Sequence, residues 1–206
     1  MAGSVVVALE HDAWLVDLDG TLYSAAPVKL AMLAEVLLGR GDVRILRRFR
    51  AEHELLRESE RGPCESPYQL QVELTARALG LDTAAVERQV HEWMIRRPGK
   101  WLHRFRRRGL LAELSAFQAL GGRLALVSDY PALEKLEALG CRNLFDAVVA
   151  NGEEGGPRWL KPHPDGVLRA CERLGVSPAR CLMLGDRADA DGEAARRAGV
   201  AFRCVG

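Results

Sequence analysis

Eighteen consecutive apolar residues occur nowhere in this 206-residue sequence, which excludes a membrane-spanning helix of ordinary hydropathy. The apolar patch Val5-Val6-Val7-Ala8-Leu9 lacks a basic lead-in and is too short for a secretory core, so a soluble cytoplasmic protein is expected. Charge of one sign is missing as well. The 29 Lys and Arg residues offset 28 Asp and Glu residues to a formal +1, leaving no global field to draw nucleic acid or a membrane surface. Cysteine is sparse and unpatterned: Cys64, Cys141, Cys171, Cys181 and Cys204 are odd in number and show no C-x-x-C spacing. Neither a disulfide framework nor a zinc site follows from them, and they read as small buried hydrophobes. Internal repeats and low-complexity segments are absent. Lysine is scarce, with only Lys29, Lys100, Lys135 and Lys161 among many arginines. Lysine is a compact point charge and arginine a fork, so each of the four is more informative than usual.

The length suits one good core with a modest insertion. Ala13-Trp14-Leu15-Val16 reads as a buried strand, after which the pattern stays helical for about eighty residues. Pro27 to Leu38 is one helix, and Val43, Ile45, Leu46, Phe49, Leu55 and Leu56 mark a second, closed by Arg61-Gly62-Pro63. Ser66-Pro67-Tyr68-Gln69 supplies an N-cap, a proline at the first helical position and a capping-box glutamine. Asp82 caps a further helix that stops near Pro98-Gly99. Strand and helix then alternate, as a parallel α/β sheet requires. The strands are Leu124 to Val127, Ala147 to Ala150, Cys181 to Leu184 and Val200 to Phe202.

Asp17-Leu18-Asp19-Gly20-Thr21 is the most informative stretch. Two carboxylates directly after a buried strand repel each other unless a cation or a shared proton offsets the charge. The Gly20-Thr21 pair turns the backbone, and such turns can present N–H groups to an anion. Carboxylates, a hard cation and an anion cradle point to phosphoryl chemistry. In open α/β sheets, sites form at the carboxyl ends of strands. Those ends supply Asp17 and Asp19, then Ser128-Asp129, then Lys161 in the loop after the third strand, then Asp186, Asp189 and Asp191 after the fourth.

In that order these residues resemble the four motifs of the haloacid dehalogenase-like hydrolase superfamily, over about Ala13 to Val200. The resemblance implies a Rossmann-like parallel sheet core over 1–24 and 107–206, with an inserted α-helical cap domain over 25–106. It implies a magnesium-dependent phosphomonoester hydrolase that acts on a small phosphorylated metabolite through an aspartyl-phosphate. Asp17 would be the nucleophile and Asp19 the general acid and base. Thr21, Ser128 and Lys161 would hold the phosphate. An Asp17 oxygen, the Asp19 carbonyl and Asp186 would hold Mg2+, supported by Asp191, with Asp189 competing for that role.

Asp129 departs from the asparagine of many relatives, and either receives a cationic or hydroxyl group of the substrate or pairs with Arg187. A phosphomutase of the same superfamily is the alternative enzyme, and a noncatalytic binding relative the alternative outside enzymes. Asp19 argues against the dehalogenase branch, which lacks it. The stretch Arg96 to Arg108 holds seven basic Lys and Arg residues where the insertion rejoins the core. It is either a solvated linker or a rim that attracts multiply anionic substrates, with Trp101 or Phe105 as an apolar wall.

Overall fold

The computed structural model describes residues 10–38, 41–59 and 62–205. The patch Val5 to Leu9 and Arg61 lie outside them. Five strands, β1 (Ala13–Val16), β2 (Arg123–Ser128), β3 (Ala147–Ala150), β4 (Cys181–Gly185) and β5 (Ala201–Cys204), form one parallel sheet in the order β3-β2-β1-β4-β5. Helices α1 (Ala25–Leu38), α2 (Val43–Glu58), α3 (Pro67–Leu79), α4 (Thr83–Val90) and α5 (Gly99–Arg104) lie between β1 and β2. Helices α6 (Arg108–Ala119), α7 (Leu133–Leu139), α8 (Asp165–Leu174) and α9 (Glu193–Ala198) serve as crossovers. This is the parallel α/β sheet that the alternating pattern predicts, in the Rossmann-like form that the resemblance implies.

Both faces of the sheet are covered, which is why its strands are nearly continuous in apolar residues. On one face Val16, Leu124, Leu126 and Leu184 pack under α6 and α7, and Trp14 stacks on Phe117 with ring centroids 4.1 Å apart. On the other, Ala13, Leu15, Val127 and Met183 meet Val167, Cys171 and Leu174 of α8 and Ala194, Ala195 and Ala198 of α9. The register pairs Val16 with Leu126 and Leu184, and the Asp17 N–H continues that ladder to the Leu184 carbonyl at 2.9 Å. Asp17 therefore leaves the sheet between the ends of β2 and β4.

The helices between β1 and β2 divide by packing. Ile45, Phe49, Tyr68, Val72, Val86 and Val90 of α2 to α4 make a core of their own, together with Ile95. Val28, Met32 and Val36 of α1 and Leu102 of α5 belong instead to the sheet's cluster. Local signals explain the helix starts. Asp42 accepts from the Arg44 N–H, Ser66 from the Gln69 N–H with Pro67 at the first position, and Asp82 from the Ala85 N–H. One expected detail differs: the Gln69 side chain does not reach back to its cap but donates to Glu87 Oε1 at 3.0 Å, tying α3 to α4. The helix that Asp82 starts widens into a π turn over His91–Arg96 before Pro98 begins α5. Among the described residues, no helix is long and apolar enough to cross a membrane.

Candidate active site

Asp17, Lys161 and Asp191 form a buried ionic chain at the strand ends. The Lys161 Nζ lies 2.6 Å from Asp17 Oδ1 and 2.6 Å from Asp191 Oδ1, and also approaches the Val127 carbonyl at 3.4 Å. Thr21 Oγ1 donates to Asp17 Oδ2 at 2.9 Å, and the Arg187 N–H to Asp191 Oδ2 at 3.1 Å. Carboxylate oxygens of Asp17, Asp186 and Asp191 lie within 4.8 Å of one another. A cluster of three acids around one ammonium keeps excess negative charge, and its hard oxygen donors suit a magnesium-sized cation. Burial pushes the Asp17 carboxyl up to about 7 against the pull of Lys161, and burial with the nearby Asp191 raises Asp186 as well.

Two glycines make that approach possible. Gly20 has φ +101°, and a Cβ there would lie 2.0 Å from Asp186 Oδ2. A Cβ on Gly185 would lie 2.4 Å from Asp191 Oδ2. Any side chain at either position displaces an acid of the cluster.

Asp19 faces a different set of partners. Lys135 Nζ donates to both of its oxygens at 2.8 Å, and the Tyr23 hydroxyl donates to Oδ1. Burial alone raises the Asp19 carboxyl, but Lys135 and Tyr23 together hold it below the usual carboxylate range. Sequence reasoning missed both residues. Their signals were the scarcity of lysine, which singles out Lys135 two residues into α7, and the placement of Tyr23 four residues beyond Asp19.

Ser128 is buried, and its hydroxyl is engaged with its own loop, donating to the Tyr130 carbonyl at 2.9 Å and accepting from the Tyr130 N–H at 3.2 Å. Asp129 accepts from the Lys161 N–H at 3.1 Å, so it anchors the lysine's backbone and does not meet Arg187. Arg187 instead pairs with Asp189 at 2.6 Å, on the surface. Of the two acids considered for support of the metal shell, Asp191 is in the buried cluster, whereas the Asp189 side chain is 67% exposed.

The basic stretch does not line the cleft beside Asp19. Arg96 and Arg97 pair with Glu92, Lys100 with Glu35, and Arg106 and Arg107 bond backbone carbonyls of His103 and Gly20. Trp101 stacks on Phe105 and donates to Glu35. That stretch supplies only Pro98 to the cleft, whose cationic groups are Lys29, Arg50, Lys135 and Arg187. Partners elsewhere, some local and some far along the chain, engage five of the stretch's seven cations.

A parallel sheet ending in this set of acids and a buried lysine defines a hydrolase-type α/β site with hard oxygen donors. Residues 11–199 match the model of the haloacid dehalogenase-like hydrolases, and the chain belongs to that family. It is 30% identical to a phosphoglycolate phosphatase of Nitrosospira multiformis, over 94% of this chain and 82% of that protein. It is 42% identical over 67 residues to the human N-acylneuraminate-9-phosphatase, a match covering 32% of this chain but only 26% of that relative. An L-2-haloacid dehalogenase from Xanthobacter autotrophicus superposes with a TM-score of 0.66 at 20% identity, covering 95% of this chain and 77% of that one. The likeness to that structure concerns the fold alone.

Proposed function

We propose that this chain is a magnesium-dependent phosphomonoester phosphatase that works through an aspartyl-phosphate on a small phosphorylated metabolite. The observation that carries the reading is the buried Asp17 carboxylate, oriented by Thr21 and Lys161 and grouped with Asp186 and Asp191. A carboxylate is a weak nucleophile, so it depends on fixed position and on neutralised phosphoryl charge. Asp17 supplies the attacking oxygen; as its bond to phosphorus forms, the bond to the substrate alcohol breaks. A proton from Asp19 goes to the leaving oxygen. In the second half, Asp19 takes a proton from water, whose oxygen attacks phosphorus and frees inorganic phosphate and Asp17.

Lys161 spreads positive charge over Asp17 and the phosphate. Asp191 holds Lys161 in place, and Thr21 keeps Asp17 in line. Ser128 serves the phosphate once its hydroxyl turns from Tyr130. Asp17, Asp186 and the Asp19 carbonyl would hold Mg2+, with Asp191 in support; the ion supplies charge neutralisation at the phosphoryl oxygens. The Lys135 ion pair favours the ionised Asp19 that water activation needs, and opposes the protonated form that the leaving group needs.

In this reading the described residues of 25–106 are the cap and those of 1–24 and 107–206 the core, with α1 and α5 packed on the core's own cluster. Within the cap, α2 to α4 are the part with their own apolar centre. The phosphoglycolate phosphatase likeness supports hydrolysis as the reaction type. The test is release of inorganic phosphate from an aryl phosphate by the purified chain, with and without magnesium. A mutase would instead return the phosphate to an isomerised sugar, and an inactive binding relative would release none.

A further inference from the structure

A cavity of about 330 Å3 opens beside Asp19 and Asp186, between the strand ends and the helices α1, α2 and α4 with its π turn. Its two sides differ in chemistry. The sheet side carries Asp19, Asp186 and Lys135, the end at which a phosphate would be handled. The helical side is made largely of Val28, Met32, Phe49, Trp93, Met94 and Ile95. Of the polar groups on that side, His53 and Glu54 are already engaged, while Lys29 and Arg50 are exposed cations. His53 shares Nδ1 with Gln71 and stacks on Tyr130 at 4.5 Å, and burial keeps it neutral by lowering its pKa. Glu54 is held by Arg57 at 2.9 Å and approached by Arg187 at 3.9 Å.

We infer that the alcohol part of the substrate is apolar, an aromatic ring or a branched chain of similar size, and that it packs against this helical wall. The inference rests on the phosphatase reading and deepens it. A polyhydroxylated sugar would lose hydrogen bonds to water at the wall and find few groups to replace them. A two-carbon acid would leave much of the wall without a contact. The volume lies at the small end of the range for ligand pockets, which suits one ring beside a phosphate.

The test compares kcat/KM of the purified full chain, with magnesium, for phenylethyl phosphate, isopentyl phosphate, phosphoglycolate and a hexose phosphorylated on its primary hydroxyl. All four leave as primary alcohols, so binding at the wall rather than intrinsic reactivity separates them. Phenylethyl or isopentyl phosphate is expected to exceed both others by about tenfold or more, the scale of apolar pocket discrimination. Met94→Asn is expected to lower kcat/KM for the apolar substrates several times more than for phosphoglycolate. A sugar phosphate or phosphoglycolate turned over faster than both apolar substrates overturns the inference. So does an equal loss on all substrates in Met94→Asn. Failure of the phosphatase reading itself gives a different result: no release of phosphate from any of the four or from an aryl phosphate, in the wild type as in Asp17→Asn.

Discussion

The strand ends and the helical wall face each other across one cleft, yet they are built on opposite principles. At the strand ends, the three buried groups Asp17, Lys161 and Asp191 satisfy one another at hydrogen-bond distance, with sheet register placing Asp17 and the turns after β3 and β4 bringing Lys161 and Asp191 to it. The wall is held by apolar packing, partly around Phe49 and Val90 and partly through Val28, Met32 and Trp93 in the sheet's cluster, and it offers surface more than hydrogen bonds. The first arrangement fixes a reaction, because reacting groups must be placed to a fraction of an ångström. The second is suited to a choice of substrate, the role inferred for it above, because shape and polarity can change there without moving the acids. Val28, Met32 and Trp93 join the wall to the sheet's cluster, and two hydrogen bonds tie α2 and α3 to the loops at the strand ends. Arg57 of α2 donates to the Lys161 carbonyl at 2.8 Å, and the Tyr68 N–H of α3 donates to Asn151 Oδ1 at 2.9 Å.

Changes at the strand ends should have the largest effects. Asp17→Asn is expected to lower turnover by about a thousandfold or more while the fold persists, since the attacking oxygen goes together with one repelling charge. Turnover near the wild-type level in that variant, with circular dichroism unchanged, would refute the nucleophile assignment. Exhaustive chelation is expected to silence the enzyme, with magnesium restoring it and calcium doing so poorly, because calcium takes more ligands in a looser shell. Full activity after chelation would remove the metal from the reading.

A smaller effect is expected at Lys135, which touches Asp19 alone among the acids. Lys135→Met removes the charge that holds the Asp19 carboxyl down and leaves burial, which raises it. The base form then prevails only at higher pH. The acid limb of the kcat profile should move upward and kcat should fall by roughly tenfold, a typical share for acid–base assistance to lose in part. Lys135→Arg should restore part of the shift. An unmoved acid limb in Lys135→Met would show that Asp19 is not the titrating base.

Much of the strand-end half is legible in the sequence and little of the wall is. The order of strands and the polar residue after each one identify Asp17, Asp19, Lys161 and Asp186, because a parallel sheet converts positions far apart in sequence into neighbours. The choice between Asp189 and Asp191 was not legible: it depends on how the chain winds after Gly185, where a tight turn sends Asp191 inward and leaves Asp189 to Arg187. The pairing of Lys135 with Asp19 spans 116 residues and follows no local pattern. The wall's apolar residues look like ordinary helix core, since Val28 and Met32 pack at helical spacing whether or not a substrate touches them. The basic stretch left its two readings, solvated linker or attracting rim, open in the sequence. Its charges are obvious in sequence, but their partners Glu35 and Glu92 decide where they point.

Arg57 tests whether the two halves act as one. Its side chain is only 7% exposed, bonds the Lys161 carbonyl and also pairs with Glu54. Arg57→Gln is expected to lower kcat by about three- to tenfold with a smaller change in KM, the scale of one ordinary hydrogen bond. Arg57→Lys should recover part of the loss. A change confined to KM would mean that Arg57 only shapes the wall and leaves Lys161 where it was.

The smallest effect is expected at the mouth of the cleft. Arg50 and Lys29 line the cavity, are exposed and have no ion-pair partner among the described residues. Lining the cleft, they are placed for the attracting role that was one of the two readings of Arg96 to Arg108. Exposed charges act through a field that salt screens over about 10 Å at 0.1 M ionic strength. Arg50→Gln should therefore lower kcat/KM by about two- to threefold in dilute buffer, for a substrate with a second anionic group more than for one without. The difference from wild type should vanish as salt is raised, and kcat should not change. Replacing Arg104 and Arg108 with glutamine should leave the same measurements unaltered, since neither lines the cleft. A loss in that double variant that matches Arg50→Gln would return the attracting field to the linker, and with it the view that the cleft mouth extends across α5.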